Sequence, residues 1–246
     1  MNGVVIFAGG VGSRMGDSAA LPKQFLDLAG KPIICRTIEV FEECEDVDAI
    51  AVVCVEGWIS HCSKVIESES FTKIHAIVAG GATGQESIFN GLEAFRSIMR
   101  DDDVVLMHDG VRPLIYPQTV SECIRSVRGN GVSATVAPAI ETVLFESGEN
   151  LSALDRSKCM LARAPQGSLY GDLYKAHLDA RAKGRNDYID TVCLMRDYGF
   201  PVFVIEGPAE NIKVTTPIDY LACVAYYREH EKEGARDGFG IQEESR

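Results

Sequence analysis

The sequence predicts an α/β fold: a Rossmann-like, mostly parallel sheet with helices on both faces and a protruding β-hairpin arm. Three observations predict it. Short apolar, β-branched runs alternate with segments whose apolar residues recur at helical spacing, the pattern of a parallel sheet covered by helices. Three runs end in turn-forming residues: the glycine-rich stretch 9–16, Gly80-Gly81 and Asp109-Gly110. Between 140 and 163 the alternation gives way to two apolar runs around a polar turn.

Residues 4–8 are apolar throughout, as expected of a strand buried on both faces. Lys31-Pro32 opens a helix with proline in its first turn, and Ile34, Ile38 and Phe41 share one face of it. Residues 48–55 form a second strand, 57–66 a helix and 74–79 a third strand. Thr83 caps the next helix, in which Ile88, Leu92 and Phe95 recur at helical spacing. Residues 103–108 are a fourth strand and 133–138 a fifth, with Val120, Cys123, Ile124 and Val127 marking the helix between them. The runs 140–145 and 158–162 flank a turn at 148–150 and read as a long hairpin. Such a hairpin has little core of its own and must pack on something. Helices follow at about 169–182 and 188–198, then a strand at 201–205 and a last helix through Tyr227. The domain is thus 1–227, with 140–163 as its arm. Residues 228–246, charged and poor in aliphatics, are expected to form a frayed tail. Ligands of open α/β sheets gather at the carboxyl ends of the strands, so the three special turns aim at one rim.

Composition removes several function classes. The chain has 246 residues, 46% hydrophobic, with a mean hydropathy of +0.01, which describes an ordinary globular protein. Its net charge of -12 argues against a nucleic-acid partner or an anionic membrane surface. No apolar run approaches a membrane span, and the N-terminus lacks the basic region of a signal peptide, so a cytoplasmic location is expected. The cysteines at 35, 44, 54, 62, 123, 159, 193 and 223 include no C-x-x-C pair. They read as small core hydrophobes in a reducing compartment rather than as a zinc site.

The first strand ends in Gly9-Gly10-Val-Gly12-Ser-Arg14-Met-Gly16. Glycines let a ligand approach the backbone, and successive N–H groups in such a turn form an anion-binding concavity. Arg14 and Lys23 add two spaced positive charges, which together describe a polyphosphate site. The two commonest phosphate loops are excluded. Met15 stands where the dinucleotide fingerprint needs its third glycine, and no glycine lies five residues after Gly9 or Gly10 as a P-loop requires.

Ala8-Gly-Gly-Val-Gly-Ser-Arg14-Met-Gly16 followed by Pro22-Lys23-Gln-Phe25 resembles the sugar-phosphate nucleotidyltransferases. Within them it is similar to the cytidylyltransferases acting on methylerythritol 4-phosphate or ribitol 5-phosphate. His108-Asp-Gly-Val-Arg-Pro113 and Asn211-Ile-Lys213-Val-Thr resemble further motifs of that family, and the likeness spans about residues 3 to 225. The resemblance implies a nucleotide-diphospho-sugar transferase fold. It implies attack of an acceptor phosphate on the α-phosphorus of CTP, with Mg2+ or another divalent cation. Lys23 and Lys213 would meet the reacting phosphate and Arg14 the leaving β- and γ-phosphates. CTP would contact Ala8, Gly9, Gly10, Gly12, Gly81, Ala82, Ser87 and Gly110. The acceptor, an alditol phosphate, would meet Asp109, Arg112, Thr142, Arg156 and Asp190, with Asp109 also a contact for the metal. Arg112 either meets the acceptor or fixes its loop. The arm would embrace a second subunit of a homodimer; the alternative is a surface hairpin of a monomer.

The sequence departs from the family pattern at Gly84, usually arginine, and at Ala164 and Ile189, both usually threonine. Residues 21–26, 57–61 and 213–217 look closer to the ribitol branch. Two rivals stand beside this reading: an NAD(P)-binding oxidoreductase, which the failed fingerprint opposes, and a non-catalytic nucleotide-binding homologue.

Overall fold

Val4, Val5 and Ile6 are fully buried because they lie in the middle of a seven-stranded sheet. The structure, a computed structural model, describes residues 1–9, 21–148 and 150–233. Gly10, Gly12 and Arg14 of the glycine loop therefore lie outside the described residues, as do 234–246 of the expected tail.

In chain order the elements are β1 (Asn2–Ala8), the short pair β2 (Asp27–Leu28) and β3 (Lys31–Pro32), α1 (Ile33–Glu43), β4 (Ala49–Cys54), α2 (Ile59–Glu67), β5 (Ile74–Ala79), α3 (Gly84–Ala94), β6 (Val104–Asp109), α4 (Pro117–Asn130) and β7 (Val132–Pro138). There follow β8 (Leu144–Ser147), β9 (Asn150–Ala153), β10 (Met160–Leu169), α5 (Tyr170–Ala182), α6 (Thr191–Asp197), β11 (Phe203–Glu206) and α7 (Pro217–Glu233). The sheet order is β5-β4-β1-β6-β10-β7-β11, and β10 alone runs antiparallel to its neighbours. The two faces bury separate apolar clusters. Ile6, Ile34, Phe41 and Leu106 belong to one, and Val5, Leu92, Phe95 and Leu173 to the other. Each apolar strand thus serves both helix layers, which is why its residues do not alternate.

Three expectations need correction. The run 158–162 is not the second strand of the arm. The arm is the short pair β8 and β9, and Met160–Ala162 begins β10, pairing with β7 in the main sheet. Residues 163–168, read as part of no element, continue that strand between β6 and β7. The last helix runs on to Glu233 rather than stopping at Tyr227.

Candidate active site

The chain leaves β1 toward β4 and β5 on one side, then crosses to β6 on the other. A crevice opens where the strand order reverses, outside the carboxyl ends of β1 and β6. Four segments line it.

The first is Pro22-Lys23-Gln-Phe25. Gln24 is buried and its Nε2 donates to Ala8 O at 2.9 Å, tying the segment to the end of β1. Phe25 packs into the core against Trp58, with ring centroids 5.6 Å apart. These two anchors hold Lys23 at the rim between them, where its Nζ donates to Val214 O at 2.8 Å.

The second follows β5. Thr83 caps α3, its hydroxyl accepting from Glu86 N–H at 3.1 Å. Gly81 N–H donates to Ser87 Oγ at 3.1 Å and Ala82 N–H to Glu86 Oε2 at 2.7 Å. A Cβ on Gly81 would stand 2.2 Å from Glu86 Cβ, so the turn requires glycine there.

The third joins the end of β6 to residues 211–216. Asp109 is 7% exposed and lies between two cations: Arg112 Nε at 2.7 Å from Oδ2 and Lys213 Nζ at 2.5 Å from Oδ1. Burial would raise its pKa, but Arg112 and Lys213 outweigh it and hold the carboxyl below the usual range. Arg112 Nη1 also donates to Asn211 O, and Val214 N–H to Val111 O, both at 2.9 Å. Thr216 and Asp219 bond reciprocally at the start of α7, which follows with Pro217 in its first position and fixes the approach of Lys213. His108 is fully buried with Nε2 3.2 Å from Arg112 O, and burial lowers its pKa to about 4. It is neutral at pH 7 and braces this loop.

The fourth comes from β10 and α6. Asp190 caps α6 through Oδ1, accepting from Cys193 N–H at 2.9 Å, and its Oδ2 accepts from Gln166 Nε2 at 2.9 Å.

Two cavities of ≈ 290 Å³ each result. The first is lined by Ala8, Gly9, Lys23, Gly81, Ala82 and Ser87, among others. The second is lined by Arg112, Arg163, Gln166, Asp190 and Gln85, among others. Phe7, Gly84, Asp109 and Lys213 line both, so the Asp109–Lys213 pair stands where they meet.

The structure therefore brings Lys23, Lys213, Ala8, Gly9, Gly81, Ala82 and Ser87 to one cavity, and Asp109, Arg112 and Asp190 to the adjoining one. Gly110 lines neither: its N–H bonds to Phe7 O, and a Cβ would stand 2.6 Å from Ile34 Cδ1. Thr142 and Arg156 line neither cavity of their own chain. Both are exposed on the segments that flank β8 and β9, with Arg156 Nη1 donating to Ile140 O at 2.9 Å. Sequence reasoning missed Gln24, Gln85 and Arg163. Gln24 lay inside the quoted Pro-Lys-Gln motif, while no local signal marked the other two.

The described residues of this rim fit a divalent metal carried by the nucleotide rather than one held by a cluster of protein side chains. Among the described residues no cluster of three metal-binding side chains exists, and both oxygens of Asp109 already face cations. Mg2+ commonly takes one or two carboxylates plus substrate phosphates and water.

The profile of the family described as "IspD: 2-C-methyl-D-erythritol 4-phosphate cytidylyltransferase" matches residues 3–229. The chain is 45% identical over 235 residues to a protein of Streptococcus agalactiae serotype III named ribitol-5-phosphate cytidylyltransferase, covering 95% of this chain and 98% of that one. It is 38% identical over 227 residues to a protein of Geobacter metallireducens named 2-C-methyl-D-erythritol 4-phosphate cytidylyltransferase, covering 92% and 97%. The crystal structure of 4-diphosphocytidyl-2C-methyl-D-erythritol synthase from Anaerococcus prevotii shares the fold. Its TM-score is 0.79 at 22% identity, covering 92% of this chain and 96% of that one.

Proposed function

The chain belongs to the IspD family of cytidylyltransferases, and from that premise we propose that it transfers CMP from CTP to D-ribitol 5-phosphate, giving CDP-ribitol and pyrophosphate. The observation that carries the reading is the pair of cavities joined at Asp109 and Lys213. The first takes CTP and the second takes the acceptor. An acceptor phosphate oxygen forms the new bond to the α-phosphorus, and the bond from that phosphorus to the bridging oxygen of the β-phosphate breaks.

The acceptor phosphate is already a nucleophile at pH 7, so positioning and charge stabilisation carry the rate. Lys23 and Lys213 stabilise the transferring phosphoryl group from two sides. Arg14 holds the leaving phosphates, and the backbone of 8–12 and 81–82 with Ser87 receives the nucleotide. Asp109 keeps Lys213 and Arg112 in place. Mg2+ supplies charge neutralisation on the triphosphate when bound. Thr142 and Arg156 reach the acceptor of a partner subunit through the arm of a homodimer. The exposed Leu144, Phe145 and Leu151 of that arm support this assembly. We place the enzyme in the cytoplasm, a location supported by eight unpaired cysteines.

A second acceptor, 2-C-methyl-D-erythritol 4-phosphate, is favoured by the description of the family profile. Pyrophosphate release measured with each acceptor at equal CTP and Mg2+ tests the choice. At least tenfold higher kcat/KM with D-ribitol 5-phosphate supports the first reading, and the reverse order replaces it with the second.

A further inference from the structure

The second cavity contains a cation that no carboxylate among the described residues neutralises. Arg163 sits where β10 loses register with β7: pairing is continuous through Ala162 and resumes at Gln166. Irregularities of this kind re-aim side chains beside active sites, and Arg163 lines the cavity with Arg112, Gln166 and Asp190. Its Nε is buried without a partner, and among the described residues no carboxylate pairs with it. Asp190 is already committed to Gln166 and the α6 cap, and Arg112 to Asp109 and Asn211. Burial, then the neighbouring charge of Arg112, lowers the pKa of Arg163. A buried donor left unpaired beside a like charge is unfavourable, and an anion in the cavity would satisfy both. Gly84, on the same wall, leaves open space: a Cβ there would meet nothing within 4 Å.

We propose that Arg163 binds the phosphate of the acceptor and so restricts the second cavity to phosphorylated alditols. The proposal rests on the cytidylyl-transfer reading for the identity of the anion. The anion site itself rests on the geometry alone. A guanidinium matches phosphate bidentately, whereas an unphosphorylated alditol would leave its charge unanswered.

The test uses the full chain as wild type, Arg163→Leu, Arg163→Gln and Arg163→Lys. Inorganic phosphate is titrated by calorimetry into protein saturated with CTP and Mg2+, so that the nucleotide's own phosphate site is filled. Loss of a charge-assisted contact predicts about ten- to hundredfold weaker phosphate binding in Arg163→Leu and Arg163→Gln, with most affinity kept in Arg163→Lys. Unchanged CTP affinity shows that a variant is folded, and the glutamine variant stands in if leucine fails that check. In turnover, KM for D-ribitol 5-phosphate rises by a similar factor while KM for CTP does not. No phosphate binding to wild type, or equal binding to wild type and the leucine or glutamine variant, overturns the proposal. A clear difference in phosphate binding with no pyrophosphate released from any alditol phosphate upholds the anion site and refutes the reading of the reaction instead.

Discussion

Lys213 Nζ lies 2.5 Å from Asp109 Oδ1, joining the end of β6 to the segment before α7 at the boundary between the two cavities. The other oxygen of the same carboxylate holds Arg112. One buried anion therefore organises two cations on which the proposed reaction depends.

Asp109→Ala leaves both cations without that partner. Breaking a buried pair from one side typically costs about 3–5 kcal/mol, and urea unfolding at pH 7 should show a loss of that order. In the wild type the carboxyl pKa is lowered on folding, so its stabilisation is present above the ordinary carboxylate pKa. It is lost as pH falls through the lowered value. Asp109→Asn should show less of this acid-side loss than wild type.

His177 is 2% exposed, its Nε2 has no partner, and burial, with the Arg181 charge adding, lowers its pKa to about 4. It folds neutral, so the unfolded chain gains the proton first as pH drops below about 6.5. Stability is lost between that value and the folded pKa, by about 2 kcal/mol at pH 5. His177→Leu should remove about that much of the difference between urea unfolding at pH 7 and at pH 5.

Lys23→Ala should lower kcat roughly a hundredfold or more, about 3 kcal/mol, as for removal of a preorganised donor at a developing charge. CTP binding should weaken much less. Trp58, the sole tryptophan, packs on Phe25 two residues away and reports that binding by fluorescence. Full turnover in the variant would refute the role given to Lys23.

Leu144 and Leu151 are 58% and 65% exposed on the arm. Leu144→Glu with Leu151→Glu should change monomer stability little, since both sites are on the surface. It should convert a dimer to a monomer by light scattering and raise KM for the acceptor. A wild type that is already monomeric would contradict the arm's assigned role.

Part of this was legible in the sequence because residues 4–8 and β4 are apolar without interruption and β1, β5 and β6 run into glycine or aspartate at their carboxyl ends. Val4–Ala8 needed no structure to be placed as a strand, whereas Gln24, though inside a quoted motif, needed the fold to show its bond to Ala8 O. β10 was not legible. Arg-Ala-Pro-Gln-Gly-Ser reads as a loop, yet it crosses the sheet between β6 and β7. Gly167 is needed there because a Cβ would come within 2.5 Å of Leu106 Cδ2. The polar sequence reflects a strand that carries site residues beside its paired ones. The Asp109–Lys213 contact is purely tertiary, and Arg163 belongs to no motif, so neither left a local signal.

The central claim is transfer at the α-phosphorus. Phosphorus NMR of wild-type protein with CTP, Mg2+ and D-ribitol 5-phosphate tests it most directly. The account predicts the appearance of pyrophosphate together with a new diphosphate diester in equal amount. Unchanged CTP, or CDP appearing as the γ-phosphate is removed, would contradict it.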